Sequence, residues 1–561
     1  MLRVSLILLS ICCAGLHATV GFAQDNPLGF FSKDVGVIVR LREPDQTFEK
    51  VAKFVERVQP GVGPVVQDQQ EPLLGKLSSN PTLTGADQTR DWYVGVYAIE
   101  NEPPTVVFAV PTTNSGDFVS ALGTNFQTRQ EKNWVIYTDA ATLPAVSASE
   151  SAATALSKEI QTRLADGDLT VYVNARHLTS VYSTQIKLLQ EKVQESLTQL
   201  SALSVQPGIN AEGIAKMYGS MIEGFFQSVQ DSDTVGLSLS LSEKDLIISH
   251  QTDFKSDSVS AKFLANNPQS SFDDLARLPS GWPIYSGVSC DTRGLIEWGT
   301  QFSTSLYEVP PEKQAQLEKA LKIDSDVKFG SFVSAADVSP TVNDALRQVS
   351  IYEISPASKY RESIYDLQAA VGNLKNGLME QTMTIQRDAE SFGAYKGDII
   401  TVKQEYTAEG DPTGVTTKML DVLTGPDGVV TRNVSLQDKF VNTVGGGKRL
   451  MEQTITAIEE KKTNRIAKFR EGLPPTGNFL LLIDLPGTIA RGVKLASKVE
   501  DSPLMVNPDA VDNLGLTPSY ISFVAGSKGD TATSQLRIPV EQVVGIAKVS
   551  VLIGASMKPG L

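Results

Sequence analysis

Histidine and cysteine are scarce in this chain of 561 residues, which contains only three of each. Cys12 and Cys13 lie in the first apolar segment, so Cys290 is the one cysteine in the rest of the chain. A single cysteine cannot form an intramolecular disulfide, which excludes a disulfide-stapled scaffold. No HExxH, CxxC or paired-histidine motif occurs, so we expect no zinc site.

Apolar runs long enough to span a bilayer are also missing. The N-terminus has a positive charge at Arg3, an apolar stretch of about 13 residues over 4–16, and small residues before Gln24. About 20 apolar residues are needed for a transmembrane helix. The pattern predicts a signal peptide over 1–23, cleaved after Ala23, and hence export to the periplasm or beyond the cell.

Two alternatives to a cleaved signal stay open. Cys12 or Cys13 could be acylated, which would make the chain a lipoprotein, or the segment could be retained as an anchor. Near the other end, the apolar run 543–553 is interrupted by Lys548. We interpret this run as a core helix, and we predict no transmembrane segment in the mature chain.

Basic residues are outnumbered, with 50 lysines and arginines against 64 aspartates and glutamates and a net charge of −14. This balance argues against binding to nucleic acid or to anionic lipid, because both require basic patches. Aromatic residues make up 7% of the chain and form no obvious sugar-stacking array.

The chain contains a pattern of predicted elements that occurs twice. Residues 234–264 and 519–547 each predict a strand, a tight polar turn, a second strand and a helix. Two further phrase types, strand–turn–helix and glycine–strand–helix, also recur in the same order: 106–123 with 349–372, and 167–178 with the segment from Gly477. The repetition predicts one folding plan that has been duplicated.

The predicted fold is therefore α+β, with two related halves, each an antiparallel-rich sheet with helices packed on one face. The halves are placed at 28–266 and 271–561, joined by a polar linker at 266–281. A helical hairpin at about 178–230 is inserted in the first half, and a β-hairpin at about 398–437 in the second.

Apolar residues recur at helical spacing on both helices of the predicted hairpin. We interpret this stripe as core, and the alternative is a ligand groove or a partner surface. Its members are Tyr182, Ile186, Leu189, Val193, Leu197, Leu200, Ile214, Met217, Tyr218, Met221, Ile222, Phe225, Phe226 and Val229.

Nucleophilic catalysis finds little support. No GxSxG motif is present, and residues 287–290 match only its beginning. His177 and His250 are interpreted as surface or capping histidines, and Cys290 as a buried small apolar residue, with a reactive thiol as its alternative. The SxxK pattern at 325–328 lacks its partner motifs.

Phosphate and calcium motifs are incomplete. Residues 445–448 read GGGK before a helix, but Arg449 stands where a P-loop needs Ser or Thr, so we interpret them as a flexible helix entry. The acidic pairs at 231–233 and 324–326 do not continue into an EF-hand loop.

Several of these phrases resemble exported bacterial proteins with a duplicated α+β domain of unknown function. The resemblance is carried by residues 35–58, by 167–178 and by Arg537–Val540 after the last polar turn. It implies an exported α+β protein with repeated halves, and it implies no catalytic residues.

The sequence therefore favours an exported non-enzymatic protein with a binding or structural role. The alternatives are a secreted hydrolase that uses paired carboxylates and a lipid-anchored envelope protein. No catalytic, cofactor-binding or metal-binding residue is singled out and no cofactor is expected. The expected partner is an unidentified protein or envelope component, and the oligomeric state is left open.

Overall fold

The computed structural model describes residues 26–203, 211–290, 327–342, 344–375, 378–498 and 507–556. The predicted signal peptide, Ser325 of the SxxK pattern and the acidic pair at 324–326 lie outside them. Helices and antiparallel strands are interleaved along the chain, so the predicted α+β class is confirmed.

Nineteen strands are assigned within the described residues. They are β1 Val37–Leu41, β2 Trp92–Tyr97, β3 Thr105–Pro111, β4 Gln127–Glu131, β5 Trp134–Thr138, β6 Leu169–Val173, β7 Ser232–Leu241, β8 Asp245–Phe254, β9 Ile284–Ser289, β10 Lys328–Val338, β11 Leu346–Ser355, β12 Leu374–Lys375, β13 Met379–Phe392, β14 Tyr395–Tyr406, β15 Val429–Ser435, β16 Lys439–Val444, β17 Phe479–Ile483, β18 Ile521–Lys528 and β19 Thr531–Pro539.

The α-helices vary from single turns to 21 residues. They are α1 Pro44–Val58, α2 Gly63–Asp68, α3 Gln70–Ser78, α4 Ser115–Leu122, α5 Ala152–Ala155, α6 Lys158–Ala165, α7 Ala175–Val181, α8 Ser183–Leu203, α9 Ala211–Asp231, α10 Val259–Ala265, α11 Ala357–Val371, α12 Val415–Thr424, α13 Gly447–Glu459, α14 Ile466–Phe469, α15 Leu485–Ala496, α16 Pro508–Asp512 and α17 Val540–Ser556.

The described chain forms two compact units that do not follow the predicted boundaries at 28–266 and 271–561. The first contains the described residues up to Leu189, Gln227–Lys262 and Lys528–Val544, and the second contains Gln190–Phe226, Phe263–Ser527 and the residues from Gly545. The first unit therefore takes β19 from the far end of the chain, and the second takes most of the predicted helical hairpin.

The first unit is built on one antiparallel sheet. Its strands run in the order β4–β5–β3–β2–β1–β6–β7–β8–β19. Strand β5 reads Trp-Val-Ile-Tyr-Thr and is buried at every position, because Trp134 and Ile136 enter one apolar cluster while Val135 and Tyr137 enter another. The sheet is thus covered on both faces at β5.

The second unit has its own antiparallel sheet, in the order β18–β17–β9–β10–β11–β16–β15–β14–β13–β12. Tyr285, Leu480 and Leu482 are fully buried at its centre. The run β16–β11–β10–β9–β17–β18 uses its elements in the same chain order as β5–β3–β2–β1–β6–β7 in the first unit.

The predicted linker at 266–281 carries part of the core. Phe272 is almost fully buried at a positive φ of 54°, and it packs with Leu275 and Leu278 around a short 3-10 helix. A Cβ on Gly287 would lie 2.7 Å from the Phe272 ring, so this glycine leaves room for the aromatic side chain.

The insertion predicted at 398–437 is only partly a hairpin. Strand β14 pairs with β13, across a turn at Gly393, and also with β15, and helix α12 lies between β14 and β15. The sequence does not predict this helix, because the glycine-rich turns that flank it are typical of breaks between strands. One of these glycines, Gly425, lies at the C-cap of α12.

Candidate functional site

Two hollows lie in the second unit. The first has a volume of about 350 Å³ and the second about 610 Å³. The polar and charged lining of the first includes Asp344, Thr424, Asp427 and Arg432, and that of the second includes Ser289, Cys290, Lys328, Ser331 and Glu353. These hollows contain the groups to test against the hydrolase alternative.

The first hollow includes the glycine loop that precedes α13. Gly445, Gly446 and Gly447 all have positive φ values, between 61° and 65°, and helix α13 begins at Gly447. The backbone N–H of Gly446 donates to Oδ1 of Asp344 at 2.8 Å, and Oδ2 lies 3.3 Å from Nη2 of Arg347. A carboxylate of the protein thus takes the position that a phosphate would occupy at a helix N-terminus.

The charges that face the first hollow are also used within the protein. Arg432 forms a two-point ion pair with Glu390, at 3.0 Å and 3.3 Å. Asp344 is held by Arg347 and a backbone amide, as described above. A general base or nucleophile needs lone pairs that can reach a substrate. Asp344 is held by its partners, so the presence of Asp427 in the lining is the feature of this hollow that favours the paired-carboxylate hydrolase.

The second hollow brings together a thiol, a carboxylate and an ammonium group. Cys290 follows β9 and is half-buried, and Lys328 begins β10. Glu353 accepts hydrogen bonds from the backbone N–H and the hydroxyl of Ser331, at 3.0 Å and 2.8 Å. No histidine is among the described residues that line this hollow. A Cys–His nucleophile is therefore not assembled by that lining.

A buried cluster around Asp398 contains several side chains with shifted pKa values. Arg361 donates from Nε to Asp398 at 2.6 Å and pairs with it again through Nη2, Tyr365 donates its hydroxyl, and the N–H of Asp388 donates at 2.7 Å. Burial raises the pKa of Asp398, but these donors outweigh it and hold the pKa below its ordinary value. The carboxylate of Asp398 is fully occupied by hydrogen bonds. Because Arg361 and Tyr365 lie on α11 and Asp398 lies on β14, the cluster holds α11 to the sheet.

A second charged cluster lies in the first unit, where β1, β6 and α1 meet. Arg40 is buried and donates from Nε to Asp91 at 2.8 Å, and the ammonium of Lys50 lies 3.3 Å from Oδ1 of Asp168. Burial lowers the pKa of Lys50, while Asp168 opposes this shift. Oδ2 of Asp168 is buried without a hydrogen-bond partner within the described part of the chain. Sequence reasoning singled out none of these residues.

The two predicted histidines serve local structure. His177 lies in the first turn of α7, where its backbone N–H is capped by Asn174. The imidazole Nε2 of His250 lies 2.8 Å from the hydroxyl of Thr252 on the same strand, and burial lowers the pKa of His250. These contacts give no sign of a catalytic dyad.

Four members of the apolar stripe on α8 and α9 are exposed. Tyr218, Met221 and Phe225, three positions on one face of α9, are 47%, 53% and 64% exposed, and Leu189 of α8 is 55% exposed. The prediction that these four residues belong to the core is wrong. Phe226 on the adjacent face of α9 is buried, which shows that one side of the helix packs and the other does not.

No group of three or more potential metal-ligating side chains occurs within the described residues. No helix in those ranges is both long enough and apolar enough to cross a bilayer. Comparison of the chain with protein-family models, with curated proteins and with solved structures found no match.

Proposed function

We propose that this protein is an exported, non-enzymatic binding protein that contacts a partner protein through the exposed apolar face of α9. This α9 face is defined by Tyr218, Met221 and Phe225. It supports the proposal because apolar side chains that are contiguous on a protein surface, unlike scattered ones, mark interaction sites. Aromatic and methionine side chains are also enriched where proteins bind one another.

The use of the polar groups also supports a binding role. The carboxylates of Asp398, Asp344 and Glu353 are each occupied by donors from the same unit. Side chains that are committed in this way position strands and helices, and Asp398, which accepts four hydrogen bonds, has no oxygen lone pair left for a reacting substrate.

The helix that carries this face is one of the two longest described. Helix α9 has 21 residues, and a Cβ on Gly219 would lie 3.6 Å from Nε2 of Gln194, an ordinary van der Waals distance. The α9 face is therefore carried by a helix that approaches α8 at Gly219.

A matched pair of surface variants tests the role of the α9 face. The first is the triple variant Tyr218→Ser, Met221→Ser, Phe225→Ser. The control is Val415→Ser with Met419→Ser on α12, whose side chains are also highly exposed. Fluorescence of a hydrophobic dye in the presence of each full-length protein should fall severalfold for the triple variant and change little for the control.

Photocrosslinking locates the partner on the same surface. A photoreactive residue placed at position 225 should give a discrete adduct in the native host, whereas one placed at position 419 should not. The triple-serine background, with the photoreactive residue moved to position 222 beside the face, should lose the adduct. Equal adducts at 225 and 419, or an adduct that survives the triple substitution, would contradict the proposal.

Export is a separate proposal, supported by the charged, apolar and small-residue pattern of the first 23 residues. N-terminal sequencing of the secreted protein should begin at Gln24. Labelling with a fatty-acid analogue distinguishes the lipoprotein alternative, which requires acylation at Cys12 or Cys13, and a retained anchor would leave the N-terminus uncleaved.

A further inference from the structure

We infer that residues 36–253 and 283–539 are two copies of one ancestral folding unit, and that the β8–β19 strand pair preserves the contact by which two separate copies once associated. The inference does not depend on the proposed function. It rests on strand order, on matching hydrogen bonds at equivalent positions and on the register of one strand pair.

The strand registers define which residues are equivalent. Leu41 on β1 is opposite Leu169 on β6, and Val288 on β9 is opposite Phe479 on β17. In each pair, the residue on β6 or β17 directly follows the dipeptide that precedes its strand: Leu169 follows Gly-Asp, and Phe479 follows Gly-Asn. The strand order established above then matches all six central strands of one unit with six of the other.

The backbone hydrogen bonds at the ends of these strands are repeated. The N–H of Arg42 donates to the carbonyl of Asp168 at 2.7 Å, and the N–H of Ser289 donates to the carbonyl of Asn478 at 2.7 Å. Arg42 and Ser289 each follow the paired residue of β1 or β9, and Asp168 and Asn478 each precede that of β6 or β17. Shared fold class alone does not require the same bond at the same offset.

The helices that follow β6 and β17 begin in the same way. Asn174 donates its N–H to Gly36 at 2.8 Å, and Asp484 donates its N–H to Pro283 at 2.7 Å. The side chains of Asn174 and Asp484 each accept a hydrogen bond from the N–H three residues ahead and so cap the helix. Both residues immediately follow their strand.

The β8–β19 pair has a register that is unchanged when the two copies are exchanged. Leu239 on β7 and Ala525 on β18 are equivalent, because each faces the first residue of β6 or β17. Six residues further along the chain from each, Asp245 is then equivalent to Thr531. By the same count, Ser249 is equivalent to Gln535.

Strands β8 and β19 are antiparallel neighbours in the first unit, with Asp245 opposite Pro539, Asp253 opposite Thr531 and Ser249 opposite Gln535. Ser249 and Gln535, the central pair, are therefore equivalent residues. For every other pair, the two residues equivalent to its members are also paired, as Asp245–Pro539 is matched by Thr531–Asp253. An interface in which residue i contacts j while j contacts i is the defining property of a two-fold homodimer contact. The partner that this strand fits is a second copy of itself.

An exchange of strand sequence in the full-length chain tests the inference. Residues 531–539 are replaced by the sequence of residues 245–253, DLIISHQTD, so that β8 would pair with itself. The control replaces the same positions with residues 246–254, LIISHQTDF, which has nearly the same composition but is shifted by one residue. A shift of one residue moves every side chain to the opposite face of the sheet.

Register is measured with cysteines placed at Ser249→Cys and Gln535→Cys in a Cys290→Ser background, because directly opposed residues in antiparallel strands are close enough for a disulfide. We expect the exchanged chain to crosslink as fully as the unexchanged chain and to melt below it by no more than about 10 °C, because Asp then faces Asp245 and Asp253 and the Arg537–Asp245 ion pair is lost. The shifted control should lose both the crosslink and the cooperative melting transition.

Three outcomes would overturn the inference. The first is a crosslink at Ser249→Cys with Leu536→Cys that forms as readily as the one with Gln535→Cys in the unexchanged chain. The second is a shifted control that is as stable as the exchanged chain. The third is failure of both chains to fold, since equivalence of the two strands would then confer no tolerance of the exchange.

Discussion

The ammonium group of Lys50 lies 3.3 Å from Oδ1 of Asp168, and the Asp168 side chain has no exposed surface. Asp168 introduces β6 and Lys50 lies on α1, so this ion pair connects the helix to the sheet. A buried charge without its partner is costly, because the low dielectric of the interior cannot replace lost solvation. Removal of the ammonium group should therefore be much more harmful than removal of a surface charge.

The variant Lys50→Met should lower the free energy of unfolding by about 2–3 kcal/mol. This is less than the ~3–5 kcal/mol typical of breaking a fully buried pair, because part of the Lys50 side chain reaches solvent. Urea denaturation measures the change. The matched control is Lys53→Met on the same helix, whose ammonium pairs with exposed Glu49 and should matter little.

The double variant Lys50→Met with Asp168→Asn should recover part of the lost stability, since it removes the unpaired carboxylate charge. If Lys50→Met is no less stable than Lys53→Met, the ion pair does not stabilise the fold and this interpretation of the cluster is wrong.

The buried carboxylate of Asp398 predicts a dependence of stability on acid. Its pKa in the folded protein lies below the ordinary value of 3.8, so its ionised form stabilises the fold above that value, and this contribution is lost as the pH falls through the folded pKa. Denaturation midpoints measured between pH 5 and pH 2 should therefore fall more steeply for the wild type than for Asp398→Asn. Parallel slopes for the two proteins would contradict the assignment.

Local sequence patterns predict several individual elements, although not α12. The strand and helix predicted at the start of the chain are found as β1 and as α1, which begins at Pro44. Proline suits the first turn of a helix because it needs no N–H partner there, and alternating or helical apolar spacing specifies the buried face. These signals involve only a few neighbouring residues, so they can be recognised in a single sequence.

The polar clusters could not be predicted in this way. Arg361 and Asp398 are separated by 37 positions, and neither lies in a motif that names the other. Their pairing depends on how α11 crosses the sheet, which is a tertiary property. A search for the clusters from sequence could have used only the general rule that an acidic residue in an otherwise apolar strand needs a partner.

The exposed α9 face illustrates a different limit. Helical spacing correctly showed that Tyr218, Met221 and Phe225 share one side of a helix. Whether that side is covered depends on the position of the neighbouring elements. In the structure these three side chains are exposed. Conversely, the polar composition of 266–281 concealed Phe272, which is one of the most buried side chains in the second unit.

His250 should make stability depend on pH near neutrality. Burial lowers its pKa below the ordinary 6.5, so protonation is easier in the unfolded chain than in the folded one. Preferential protonation of His250 in the unfolded chain destabilises the fold. This effect is absent above pH 6.5 and grows as the pH falls from 6.5 through the folded pKa. The variant His250→Gln should flatten this part of the stability profile, measured by denaturation between pH 8 and pH 5, whereas His177→Gln should retain it.

The equivalent helix caps at Asn174 and Asp484 provide a stability test of the duplication. Loss of a side-chain cap typically costs about 1 kcal/mol. Asn174→Ala and Asp484→Ala should each lower the free energy of unfolding by about this amount, because each removes the acceptor for one N–H at the start of α7 or α15. The conservative variants Asn174→Asp and Asp484→Asn keep an acceptor in place and should retain most of the stability. If the alanine and conservative variants at either position are equally stable, the cap there does not hold its helix, and the two positions do not share the role that a common origin requires.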